Sequence, residues 1–245
     1  MAPILTGSSS NARMPRLDAL RGLAMLWMTL FHFGFDLNHA GLIRQDFYRD
    51  PFWTWQRTAI VSLFLLCAGL GQAVALAQGQ RWTRFWRRWA QVAGCALLVS
   101  IGSWWMFPRS YISFGVLHGM AVMLLLLRWA GPRLPNPAWL VLAAGALLAP
   151  QLWQHAFFDS RWTNWMGLVT HKPVTEDYVP VLPWLGVMVL GFVLGRELLS
   201  RQRWLQGGIA APLRPLAWLG GWSLSYYMLH QPVLLGLLWL NQRLH

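Results

Sequence analysis

Apolar runs of helical length alternate with short polar segments along this chain, and seven of them are long enough to read as membrane helices. They cover approximately Leu17–Leu37, Ala59–Ala77, Trp89–Phe107, Ile112–Trp129, Ala138–Trp153, Val181–Leu199 and Leu216–Leu240. The fifth is short and ends near Pro150. The last is long, and Gly220–Gly221 is a place for it to break. No internal repeat is visible. The pattern predicts an all-α polytopic membrane bundle: a single domain over residues 16–245 behind a polar tail, residues 1–15. The stretch Asn38–Arg57 contains FYRDPFWTW and reads as an interfacial helix or cap.

Composition agrees with the pattern. The chain is 56% hydrophobic and 11% charged, where soluble domains carry about 25% charged residues. Its 18 Trp and 12 Phe suit aromatic belts at the two membrane faces. The net charge of +12 raises the question of nucleic acid. The arginines, however, sit in short loops between apolar runs, which the positive-inside rule explains and a nucleic-acid surface does not. With the N-terminus inside, the inner segments hold thirteen of the twenty basic residues and the outer segments six of the eight acids. The predicted topology is therefore N-in, C-out. Met1–Met14 is polar, so no cleavable leader is expected. Cys67 and Cys95 lie inside apolar runs and read as packing residues, with no disulfide or metal role.

The candidate chemistry starts in the first run, RLDALRGLAMLWMTLFHFGFDL. Ionisable groups inside a membrane are costly, so each is a functional candidate by default. Arg21 is either a snorkelling cation paired with Asp18 or an anchor for a phosphorylated ligand at the inner face. His32 and Asp36 are four apart and share a helix face. A carboxylate there suits holding an imidazole as a base, and an inert interfacial pair is the bland alternative. His118 lies in SFGVLHGM between Gly115 and Gly119. His230 precedes Gln231–Pro232, so it marks either a kink or a ligand contact. Asp177, Tyr178 and Trp184 fall at the outer entrance of the sixth run, and His39 lies beside the same outer site. His155, His171 and His245 read as solvated.

These segments resemble a known group. RLDALRGLAMLWMTLFHFGFDL is similar to the opening helix of the bacterial relatives of heparan-alpha-glucosaminide N-acetyltransferase. FGVLHGM, DYVPVLPWLGVMVLGFVLGR and SLSYYMLHQPVLLG follow in the order of that group. Arg21 and His32, with ten residues between them, also match a pattern of the wider transmembrane acyltransferases. The resemblance implies a multi-pass acyltransferase of a bacterial inner membrane. Acetyl-CoA or another acyl-CoA would be the cytoplasmic donor, and a sugar or glycan hydroxyl or amine the outer acceptor. The family's helix-1 histidine carries over to His32 as base or acyl carrier, with His39 the alternative, and its arginine to Arg21. Asp36 would then orient His32, and His118 or Tyr178 would stabilise the oxyanion. Arg21 and His230 are candidate donor contacts; Asp177, Tyr178, Trp184 and His39 are candidate acceptor contacts. Membrane lipid is the other expected partner, and the oligomeric state is open. The rival readings are a proton-coupled transporter, a haem carrier ligated by His32 and His118, and a purely structural membrane protein. A retinal protein is disfavoured, because the only lysine, Lys172, lies in a polar loop.

Overall fold

A computed structural model describes residues 14–200 and 208–244. Most of the expected polar tail, and with it Arg13, as well as Arg201, Arg203 and His245, lies outside those residues. Among the described residues the chain is all helical, with eight α-helices and three short 3-10 turns. The helices are α1 (Pro15–His39), α2 (Pro51–Ala77), α3 (Trp82–Met106), α4 (Val116–Ala130), α5 (Asn136–Leu152), α6 (Val181–Ser200), α7 (Arg214–Gly221) and α8 (Ser223–Leu244).

The expected all-helical membrane bundle is present, and the helices differ from the seven expected runs in their boundaries. Three helices, α2, α3 and α6, are long and apolar enough to cross a membrane on their own composition, while α4 and α5 are shorter apolar helices. The last run does break at Gly220–Gly221, into α7 and α8. Helix α2 starts eight residues before the expected Ala59. Pro51 stands at its first turn, and the Asp50 carboxylate accepts from the Phe52 N–H at 2.8 Å, which together make a strong start signal. The expected interfacial segment therefore divides. Residues 40–50 form the turn, and Pro51–Arg57 belong to α2. Phe47 of that turn is buried beneath Phe31 and Trp53. Helix α3 starts at Trp82 rather than Trp89, because the arginines of RWTRFWRRW lower hydropathy without lowering helix propensity. Helix α4 starts at Val116 rather than Ile112, because the Ile112 carbonyl accepts from Ser100 Oγ and Gly115, just before the helix, is extended.

Helices α2 and α6 form the centre. Gly69 lies against the Met188 carbonyl, and Gly191 against Leu66, so the two backbones touch where a side chain would collide. In lipid, apolar burial gives little drive for association, and close approach at small residues takes its place. Helix α4 joins this pair through Met123 and Leu127, which are fully buried with Leu65, Met188 and Phe192. Helix α3 packs on one side only and leaves Leu97, Leu98, Ile101 and Trp105 outward. The same glycine device sets α7 against α1. Gly22 abuts the Leu216 carbonyl, and Gly220 abuts the Asp18 carbonyl. That contact brings the start of α8 alongside α1 and sets up the site.

Candidate functional site

The C-terminal half of α1 and the middle of α8 meet through two polar rungs. In the first, His32 Nδ1 lies 2.8 Å from His230 Nε2, with the rings stacked at 5.0 Å between centroids and 14° between planes. His230 Nδ1 lies 2.7 Å from the Tyr227 carbonyl. A carbonyl only accepts, so Nδ1 of His230 carries a hydrogen. In a neutral His230 the Nε2 is then bare and accepts from His32 Nδ1–H. For a neutral His32 this leaves Nε2 without a hydrogen, as a free lone pair. The backbone of α8 thus sets the tautomer of a side chain on α1. Pro232 lies beyond His230 in this stretch of α8 and withdraws the usual helix donor from the Met228 carbonyl, next to the one His230 uses.

The second rung is Asp36 to Gln231. Asp36 is buried, and both its oxygens accept from Gln231 Nε2, at 2.8 and 3.0 Å. The expected orienting contact of Asp36 on His32 is therefore replaced. His230 is the hydrogen-bond partner of His32, and Gln231 that of Asp36. A third link supports the pair from below. Thr29 Oγ1 donates to the Met25 carbonyl at 2.9 Å, so Tyr226 O–H is the donor in its 2.7 Å bond to Thr29. The Tyr226 ring in turn stacks on His230.

Two cavities lie toward the other end of α1. One encloses about 300 Å³ beside Asp18, Arg21, Gln78, Arg88 and Gly220. The next encloses about 250 Å³ and runs past Met25, Gln72, Phe64 and Leu117 to Tyr227. Both share Arg21, Gly71, Ala75, Arg88 and Ser223, so they form one path through the bundle. Its lining includes Tyr227, the residue whose carbonyl holds His230. Arg21 pairs with Asp18 at 3.0 Å and lies against Gly71, where any side chain would collide with the guanidinium. The spacing from Arg21 to His32 is about 16 Å along the helix at ~1.5 Å per residue.

The other expected site residues lie elsewhere. His118 Nδ1 accepts from the Gly115 N–H at 3.2 Å, and its Nε2 meets Ser100 Oγ at 3.1 Å. Ser100 Oγ gives its own hydrogen to the Ile112 carbonyl, so His118 Nε2–H is the donor to Ser100. Both ring nitrogens are used in holding the start of α4, which leaves neither for an oxyanion. Asp177 Oδ2 accepts from the Val116 N–H at 2.7 Å and caps the same helix end. Burial pushes its carboxyl above the ordinary carboxylate range. Tyr178 O–H donates to the Asn164 carbonyl at 2.7 Å, and burial pushes its phenol up. Trp184 is half-buried against the main core, and His39 is exposed at the end of α1. Asp177, Tyr178 and His118 thus anchor the start of α4 and the loop before α6 rather than joining the His32 pair.

Arg88, Tyr226, Tyr227 and Gln231 are the site residues that sequence reasoning missed. Arg88 was hidden in a basic run that reads as topology. The others sit in SLSYYMLHQP, where only His230 stood out. Among the described residues, no group of three or more His, Cys, Asp and Glu side chains is placed to hold a metal ion.

Comparison with known proteins adds one finding. A family profile described as "Heparan-alpha-glucosaminide N-acetyltransferase, catalytic" matches residues 13–232, from the start of α1 to the Pro232 turn of α8. No curated protein and no solved structure matches.

Proposed function

This chain belongs to the heparan-alpha-glucosaminide N-acetyltransferase catalytic family, and from that premise we propose that it is a membrane acyltransferase using a cytoplasmic acyl-CoA, acetyl-CoA first. The acceptor is a sugar or glycan hydroxyl or amine at the outer face of a bacterial inner membrane, with the chain N-in and C-out. The observation that carries this reading is the His32–His230 pair, which leaves His32 Nε2 without a hydrogen, together with a path from Arg21 and Arg88 to Tyr227, the residue whose carbonyl holds His230.

The residues fit such a donor. Arg21 and Arg88 flank the mouth with two guanidinium groups suited to phosphate oxygens. Two glutamine side chains along the path carry buried atoms without partners, which an extended polar arm satisfies. The donor, when bound, supplies an activated thioester. The chain supplies the rest. Arg21 and Arg88 hold the charged end inside. His32 Nε2 takes the proton of the acceptor hydroxyl or amine, or carries the acyl group itself. His230 keeps His32 Nδ1–H occupied so that Nε2 stays free, and Asp36 with Gln231 holds the adjoining turn of α8.

The test is acetyl-CoA binding and slow thioester hydrolysis by purified protein in detergent. Arg21→Ala should lose binding. His32→Ala should keep binding and lose turnover by about 10²- to 10⁴-fold, the usual worth of a positioned base. A well-folded His32→Ala that retains full turnover contradicts the assignment.

A further inference from the structure

Seven buried side-chain polar atoms have no hydrogen-bond partner among the described residues, and two of them belong to residues lining the inner path: Nε2 of Gln72 and Oε1 of Gln80. The other five, on Arg128, Asn136, Trp139, Asn164 and Gln231, belong to residues that line neither cavity. An unpaired buried amide group costs about 1–3 kcal/mol, and native proteins seldom leave one without a reason. Gln72 is itself 6% exposed, in a helix where an apolar residue would suit the packing as well.

Their positions sharpen the point. Gln72 follows Gly71, against which Arg21 lies, so it stands next to the cationic mouth. Gln80 stands just past the inner end of α2. The wall also includes the apolar side chains of Phe64, Val92, Leu117, Met120 and Leu124, which offer no strong donor or acceptor. From Gln72 to Phe64 is about 12 Å along α2 at ~1.5 Å per residue. One orphaned atom is a donor and the other an acceptor. A secondary amide offers the complement of both, a carbonyl and an N–H. A ligand with phosphates at one end and a secondary amide farther along a slender chain matches the groups along the path: Gln80 and the two arginines toward the mouth, Gln72 beside the arginine level, then an apolar slot.

The geometry points to Gln72 as the residue that reads an amide carbonyl of the donor's pantetheine arm, with Gln80 an acceptor at the mouth. This assignment rests on the acyl-CoA reading above and adds the residues by which the path selects a pantetheine thioester over an amide-free one. Gln72 is here a binding residue for the arm and has no part in proton transfer.

Equilibrium binding of coenzyme A tests it, with adenosine 3′,5′-bisphosphate, which lacks the arm, as the control probe. Gln72→Met and Gln72→Leu should each weaken coenzyme A binding roughly tenfold, the worth of one buried hydrogen bond. Both should leave the bisphosphate affinity unchanged. Their thermal unfolding midpoints without ligand should match or exceed that of the wild type, since each removes an unpaired buried group. The proposal is overturned if both probes weaken alike, which makes Gln72 a structural residue. It is equally overturned if neither weakens, which means a bound water satisfies the amide. Wild-type protein that binds the bisphosphate but gains nothing from the arm overturns the Gln72 assignment alone. Wild-type protein that binds neither probe removes the acyl-CoA reading, and this inference with it.

Discussion

At the scale of single residues, the proposed chemistry depends on which nitrogen of His32 carries its hydrogen. His230 settles this because its own Nδ1 is committed to a backbone carbonyl. A side chain that only accepts at the position of His230 Nε2 should therefore preserve the arrangement. His230→Gln places a carbonyl oxygen near that point, while His230→Leu leaves His32 Nδ1–H without an acceptor. The Leu variant should lose kcat by roughly 10- to 100-fold, since an imidazole free to hold the other tautomer no longer presents a base. The KM for acetyl-CoA should not change, because neither cavity is lined by His230. The Gln variant should recover much of the rate. Equal kinetics for Leu, Gln and wild type would show that His230 does not control His32. The i, i+4 spacing of His32 and Asp36 correctly put them on one face. It did not identify their partners, because those lie on α8, almost two hundred residues away. Only packing reveals that Gln231 meets the carboxylate and His230 the imidazole.

At the scale of elements, the beginning of α4 shows a signal that was legible and was read as catalysis. Gly115 with His118 three residues later is the spacing at which a third-position side chain reaches back to the cap N–H. Asp177 completes the cap from the loop before α6. Asp177→Ala should cost about 1 kcal/mol of stability, as for other helix-capping acceptors. The pH dependence has a definite sign. A carboxyl whose folded pKa is raised binds its proton more tightly in the folded state. Its contribution therefore falls as pH rises from the unfolded value of 3.8 through the raised folded one. Asp177→Asn keeps an acceptor for Val116 N–H and should remove that decline. Unfolding midpoints across this pH range would check it, and parallel curves for Asn and wild type would contradict it. Boundaries were the least legible part of the fold. Hydropathy marks where lipid-facing residues begin, whereas caps, prolines and the amphipathic RWTRFWRRW turn decide where the helix begins.

At the scale of the whole molecule, the apolar runs, the Gly220–Gly221 break and the helical class were readable, because each follows from local composition. The path through the bundle was not. It exists because Gly22 and Gly220 press α7 onto α1 and because Gly71 leaves room for Arg21 beside α2. Those are contacts between segments distant in sequence, and a glycine in an apolar run does not announce its neighbour. The resulting molecule has a cationic mouth at one end of α1 and the His32–His230 pair, proposed as the base, toward the other. Its function should therefore be sided. Sealed membrane vesicles of known orientation, given acetyl-CoA from one side only, test this most directly. Thioester should be consumed when acetyl-CoA faces the α1 N-terminal side, and the acetyl group should appear on an acceptor held on the other side. His32→Ala vesicles should do neither. Consumption from the opposite face, or undiminished transfer by His32→Ala, would contradict the account.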